Sequence, residues 1–474
     1  MARTTLHWAI CSFLLLIPVF CIAKEEPTNQ AEVFLKDLQL RTFRFFWETT
    51  NPKNGLAPDR WPDDSASSIA AVGFALTGYG VGVEHGWIER PDAAKRVLAT
   101  LRFLRDAPQH DGVDRVSGYH GFYYHFLTMD EGYRWRKCEL SSIDTALLMA
   151  GVLFCGEYFN QSNDEEAEIR HLADVLYRRV EWSWMQPRAP LVAMSWRPEA
   201  REFSDHDYRG YNEAMLLYVL ALGSPTHPAP PEAWQAYTST IEWKEFHGQE
   251  HMNFGPLFGH QYSHVWVDFR GIRDGYAQAC GIDYFENSRR ATYAQRAYAI
   301  GNPRGWKGYD ANLWGLTACD GPANQELQYE GETRRFRRYS ARGVSSTDGF
   351  DDGTIAPTAA GGSIPFAPEI AIPALLEMRR YGGEKLYGEY GFRDSFNPSF
   401  RYSDVVSTHG EVHDGVGWVA RNHLGIDQGP ILLMAENHRT GLVWEVMRQS
   451  PYIQQGLRRA GFQGGWLDES NTSD

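Results

Sequence analysis

The chain has 474 residues with 60 acidic against 46 basic side chains, and its net charge of −14 repels phosphate backbones and excludes nucleic acid as a partner. After residue 23 no stretch approaches the roughly 20 uninterrupted apolar residues that a membrane-spanning helix needs. Aromatics make up 14% of residues, many in polar, Gly-rich company such as Gly118-Tyr-His-Gly-Phe-Tyr-Tyr-His125, which suits stacking on sugar C–H faces as well as it suits a large core.

Residues 1–23 read as a secretory signal peptide, with one Arg, an apolar run over 8–22 and a small residue before Lys24. This implies export, to the periplasm or beyond. A lipoprotein anchor at Cys21 is the weaker reading, because bulky Phe20 precedes it. Residues 24–474 contain no linker or low-complexity tract and read as a single domain and a monomer. Its cysteines, Cys138, Cys155, Cys280 and Cys319, form no CxxC pair, and the His residues are scattered, so neither a metal nor a cofactor is expected.

Helical periodicity recurs over 30–49, 67–84, 91–107, 139–159, 165–181, 210–223, 231–246, 283–300, 310–317, 366–382, 427–438 and 440–461. Small residues run through 68–76, the mark of a buried helix lying close to its neighbours. Strand signals are few: one over 191–196 and a weaker one over 262–268. The pattern predicts an all-α fold, an (α/α)6 barrel with a few short strands in its loops, and places polar residues at helix ends as the site. A solenoid would show a fixed repeat, which is absent.

Two helix starts carry the chemistry. Glu139 and Asp144 stand at the entrance of an apolar helix, where the dipole favours anions; capping alone needs only one such side chain. Glu213 opens another apolar helix, where partial desolvation raises a carboxyl's pKa and suits it to general-acid work. Further along, His264, Trp266, Asp268 and Arg270 crowd one segment, and Trp314 and Asp320 lie in a Gly/Pro-rich loop. With Tyr211 and Trp196 these are the expected stacking and hydroxyl-binding residues. No GxSxG, Walker, HExxH or Rossmann motif competes.

The runs Tyr211-Asn-Glu-Ala-Met215, Leu220-Ala-Leu-Gly-Ser-Pro-Thr-His-Pro228, Asp268-Phe-Arg-Gly-Ile-Arg273, Trp314-Gly-Leu-Thr-Ala-Cys-Asp-Gly-Pro322 and Pro357-Thr-Ala-Ala-Gly-Gly-Ser-Ile-Pro-Phe-Ala-Pro-Glu369 resemble the hallmarks of the glucoamylase-like domain. Endo-β-1,2-glucanases of glycoside hydrolase family 144 belong there. The resemblance covers residues 30–465 and implies (α/α)6 architecture and inverting hydrolysis of β-1,2-glucan to sophorose and short oligomers, not starch hydrolysis. It places the catalytic carboxylates at Glu213 and in the Glu139 to Asp144 segment without dividing acid from base. Glu213 is read as the essential acid, with Asp144 and Glu139 as base or orienting groups. Cys319 and the loop of Gly321 to Asn324 depart from the family pattern at the rim, which bears on chain-length preference. Exo-acting hydrolysis, transglycosylation, a polysaccharide lyase and a non-catalytic glycan-binding protein are the alternatives.

Overall fold

A computed structural model describes Met1 and residues 27–347 and 349–469. The expected signal peptide beyond Met1, Cys21 included, lies outside the described residues, as does Asp348. Helix dominates. In chain order the helices are α1 (Pro27–Thr49), α2 (Ile69–Glu84), α3 (Arg90–Asp106), α4 (Ser142–Tyr158), α5 (Asp164–Arg179), α6 (Met215–Gly223), α7 (Glu232–Thr238), α8 (Tyr262–Trp266), α9 (Gly275–Cys280), α10 (Tyr284–Gly301), α11 (Pro357–Gly361), α12 (Pro368–Leu386), α13 (Gly425–Arg439), α14 (Leu442–Met447), α15 (Pro451–Arg459) and α16 (Gly465–Glu469).

Two kinds of helix alternate. α2, α4, α6, α8, α11 and α13 are apolar on nearly every face and buried along most of their length. Their packing runs α2 on α4, α4 on α6, α6 on α8, α8 on α13, and α13 on both α11 and α2. Helices with one apolar stripe cover them: α1 lies on α13 and α2, α5 on α4, α15 on α6 and α12 on α11. α5 shows the logic, with Ile169, Leu172, Ala173 and Leu176 buried, Asn163 capping the start and Arg178 and Arg179 at the end.

The small residues of 68–76 do what their pattern predicts. A Cβ on Gly73 would sit 2.3 Å from the Leu147 carbonyl oxygen, and one on Gly151 would sit 2.1 Å from that of Gly73, so only glycine lets α2 and α4 approach this closely.

Several expected elements need correction. The block 231–246 is helical only to Thr238; Trp243–Phe246 then pairs antiparallel with Gln249–Met252 around His247 and Gly248, both at positive φ as a tight hairpin turn demands. Residues 310–317 form no helix, because the Asp310 carboxylate captures the N–H groups of Asn312 and Leu313 at 2.7 and 2.8 Å. The block 440–461 breaks at Ser450 before Pro451, giving α14 and α15. The strand expected over 262–268 is instead α8, whose five residues are all buried. With both faces covered, the alternation of bulky side chains there has no strand face to report.

The short strands are spread over small sheets, the largest of which among the described residues has five: β1 (Gly118–Tyr119), β2 (Phe122–Tyr124), β3 (Leu140–Ser141), β4 (Ser195–Arg197) and β5 (Glu202–Phe203), each antiparallel to its neighbour. The expected strand 191–196 overlaps β4. Cys138, Cys155, Cys280 and Cys319 are all free thiols. No described helix is long and apolar enough to cross a membrane.

Candidate active site

Three helix mouths bring carboxylates together. β3 lies between β2 and β4 and runs directly into α4, so the sheet fixes both Glu139, just before β3, and Asp144 in the first turn of α4. Ser141 caps α4, its hydroxyl oxygen accepting the Asp144 N–H at 3.2 Å while its O–H donates to the Asp144 carboxylate at 2.5 Å. His125 sits between the two acids, with Nδ1 2.8 Å from Glu139 and Nε2 3.7 Å from Asp144. Burial pulls the imidazole pKa down, but the charges of Asp144, Glu139 and Asp59 outweigh it and hold His125 up at about 9. Its hydrogen bond in turn holds Glu139 down at about 2, against the effect of burial. Near neutral pH His125 is therefore a cation beside the ionised Glu139.

Glu213 stands just before α6, half-buried. Burial pushes its carboxyl up to about 7; the charge of Asp144 adds to the rise, and hydrogen bonds from its own backbone and from Tyr208 offset part of it. Its peptide is fixed from α8: the Ser263 hydroxyl donates to the Glu213 carbonyl at 2.8 Å and accepts the Leu216 N–H at 2.9 Å. Removing that clamp with Ser263→Ala leaves two buried backbone groups unpaired and is expected to lower stability by about 1–3 kcal/mol in a denaturant titration. Activity should fall about tenfold in kcat as Glu213 loses its fixed position.

The third group is a cluster of buried acids. Asp320, expected from sequence, is paired through one oxygen with Arg60, and its backbone N–H donates to Asp394 at 2.6 Å. Asp427, in the first turn of α13, lies against Asp394. Burial raises both, with Asp320 adding to the rise at Asp394, which stands at about 6, and Asp394 adding to it at Asp427. Two buried carboxyls in contact cannot both ionise, so the pair holds a proton near neutrality. Both oxygens of Asp427 and one each of Asp320, Asp394 and Gln428 meet no protein donor among the described residues. Convergent buried acceptors without donors suit hydroxyl groups or water. The charges of Asp427, Asp394 and Glu213 all act on Tyr262, and those of Asp320 and Asp144 both act on Asp59, so the three groups lie near one another.

Sequence reasoning missed His125, Asp59, Asp394 and Asp427. Asp427 carried a usable signal, since it opens an apolar helix just as Asp144 does. The others sit in loops and short strands, where nothing local marks them.

The remaining expected residues are largely enclosed by protein, with Trp196 opposite Leu140 in the sheet. Trp266, fully buried, donates from Nε1 to Thr77 at 2.9 Å. His264, also fully buried, lies 3.1 Å from the Ser288 hydroxyl and is pushed down to about 3 by burial. Tyr211 packs on His260 and Tyr284, and Trp196 on Tyr119 and Trp184. Trp314 has no exposed surface. Asp268 and Arg270 form a separate ion-pair cluster with Arg448, and Arg270 lies 4.1 Å over Trp444. Among the described residues no three His, Cys, Asp or Glu side chains are placed to hold a metal ion.

Residues 205–451 match the family profile described as "Putative glucoamylase". The chain belongs to this family. Similar to this glucoamylase-family chain is an exo-β-1,2-glucooligosaccharide sophorohydrolase (non-reducing end) of Parabacteroides distasonis, 30% identical over 90% of this chain. The chain spans 58% of that curated relative's length. The endo-β-1,2-glucanase of Chitinophaga pinensis, solved with sophorotriose and glucose, superposes with a TM-score of 0.77 at 27% identity, covering 92% of this chain and 99% of that one. A β-1,2-glucanase structure from Parabacteroides distasonis gives a TM-score of 0.77 at 29% identity over 91% of this chain and 60% of its own.

Proposed function

We propose that the chain is an exported inverting glycoside hydrolase of β-1,2-glucan, of the family 144 type, built as an (α/α)6 barrel. The alternation of buried and covering helices supports the barrel, and the β-1,2-glucan-active relatives support the substrate. The observation that carries the reaction is a carboxyl held at about 7, Glu213, near buried acids whose oxygens lack protein donors.

Glu213, protonated near neutrality, gives its proton to the leaving glycosidic oxygen. The base needs an uncommitted lone pair. Glu139 engages His125 through one oxygen, and Asp144 accepts from Ser141 through one. Asp427 meets no donor other than the proton it shares with Asp394, so one of its oxygens stays open and the pair carries one negative charge. It takes the proton of a water that attacks the anomeric carbon from the face opposite Glu213, the role for which an inverting enzyme separates its carboxyls by about 6.5–9.5 Å. The Glu139, His125 and Asp144 corner orients sugar hydroxyls. Protonation and charge stabilisation then both come from side chains.

The test is incubation with linear β-1,2-, β-1,3- and β-1,4-glucans, with products followed by chromatography and anomeric NMR. β-1,2-Glucan alone should yield product, initially of inverted configuration. Sophorose as the only early product marks exo action, and a ladder of oligomers marks endo action. No product from β-1,2-glucan would overturn the proposal.

A further inference from the structure

A cavity of about 480 Å³ opens beside the carboxylates, its charged and aromatic lining made by Asp59, Arg60, Asp64, Phe126, Trp135, Arg136, Lys137 and His409. It is continuous with the site through Asp59, which feels the charges of Asp144 and Asp320, and through Arg60, which pairs with Asp320. Arg60 is shared between Asp320 and Asp59, the latter 3.3 Å away. Arg136 and Lys137 are exposed and form no ion pair among the described residues. The nearby Glu199 has both carboxylate oxygens on Arg134, at 2.8 and 3.1 Å. Arg136 is held at a φ of 52°, unusual for a residue with a side chain, and its guanidinium lies 5.2 Å over the Trp135 ring. On a chain of net charge −14, two cations without an ion pair among the described residues, against the carboxylate of Asp64 and beside a half-buried indole, are a local reversal of sign.

We propose that this cavity accepts a glucosyl unit bearing a singly charged anionic ester: the sugar face stacks on Trp135 and the anion lies between Arg136 and Lys137. A neutral glucan can offer the two cations only hydroxyl acceptors, whereas an anionic ester offers a charge-assisted partner. A carboxylate half-ester and a phosphodiester share the required chemistry. The inference rests on the β-1,2-glucan reading and extends it from the backbone of the substrate to its decoration.

The test uses the full chain carrying Glu213→Gln, titrated calorimetrically with β-1,2-glucooligosaccharides that are succinylated, phosphoglycerylated or, as a neutral control of similar bulk, acetylated. An anionic set should bind about fivefold tighter than the acetylated one at low ionic strength, the worth of one or two partly exposed ion pairs. The preference should shrink below about twofold in 0.5 M salt. Adding Arg136→Gln and Lys137→Gln should bring the ratio of anionic to neutral affinity to about one, and Lys137→Glu should push it below one. The tighter of the two anions identifies the group. Equal affinity for all three sets, or a preference that survives the double substitution, overturns the inference. The parent protein's turnover of undecorated β-1,2-glucan is measured alongside. If that fails, the functional reading falls; if it succeeds without an anion preference, only this inference falls.

Discussion

Glu213→Gln should slow β-1,2-glucan turnover by about 10²–10⁴-fold, the usual contribution of a positioned general acid. Glutamine keeps the shape of the side chain but has no proton to give the leaving oxygen. The pH profile sharpens the test. An acid at about 7 and a carboxyl pair that first ionises at about 6 predict a narrow bell in kcat/KM, rising through about 6 and falling through about 7. The residual activity of the variant should lack the alkaline limb. Stability supplies an independent readout. The folded-state pKa of Glu213 is raised, so its contribution is present below the unfolded value of about 4.5 and is lost as pH rises through about 7. The variant should therefore unfold at a higher temperature than the parent at pH 8 and at a similar one at pH 4. Near-parental turnover in the variant would end the assignment of Glu213 as the acid.

What the sequence disclosed follows from which signals are local. Long helices announced themselves because an apolar stripe, as in α5, or an unbroken apolar run, as in α2, repeats over several turns. Glu213 and Asp144 were legible for the same reason: a carboxyl at the mouth of an apolar run is visible within ten residues of chain. Asp427 met that criterion and was passed over. Asp394 could not meet it, since its partners arrive from far away: Asp320 donates to it across 74 residues, and Arg60 reaches Asp320 across 260. The aromatics misled for a related reason. Trp266 and His264 lie among polar residues in sequence, yet α8 turns all five of its side chains into the core, where Thr77 meets the indole N–H and Ser288 one imidazole nitrogen. Composition shows that a ring has polar neighbours along the chain, and only the fold shows whether it faces a cleft.

Asp427→Asn should abolish turnover as thoroughly as the loss of the acid, by about 10³-fold in kcat, and yet make the protein more stable. The two expectations have one cause. Burial and the adjoining Asp394 raise the Asp427 carboxyl well above its ordinary range, so above that range the folded state holds a charge it would rather not hold. A raised folded pKa means stability that is lost as pH rises, and an amide, which carries no charge at any pH, removes that loss. The amide N–H can also donate to the Asp394 oxygen that now lacks a partner. The melting temperature at pH 7 should rise by a few degrees while activity disappears, the trade expected where acids are gathered for chemistry rather than for folding. The acidic limb at about 6 should vanish from whatever activity remains, because it belongs to the pair. Asp394→Asn separates the partners. If Asp427 is the oxygen that meets the water, Asp394→Asn should retain measurably more activity than Asp427→Asn, since a lone Asp427 can still accept a proton. A fully active Asp427→Asn enzyme would move the base to the His125 corner, where Asp144 is the remaining carboxylate whose charge reaches Glu213.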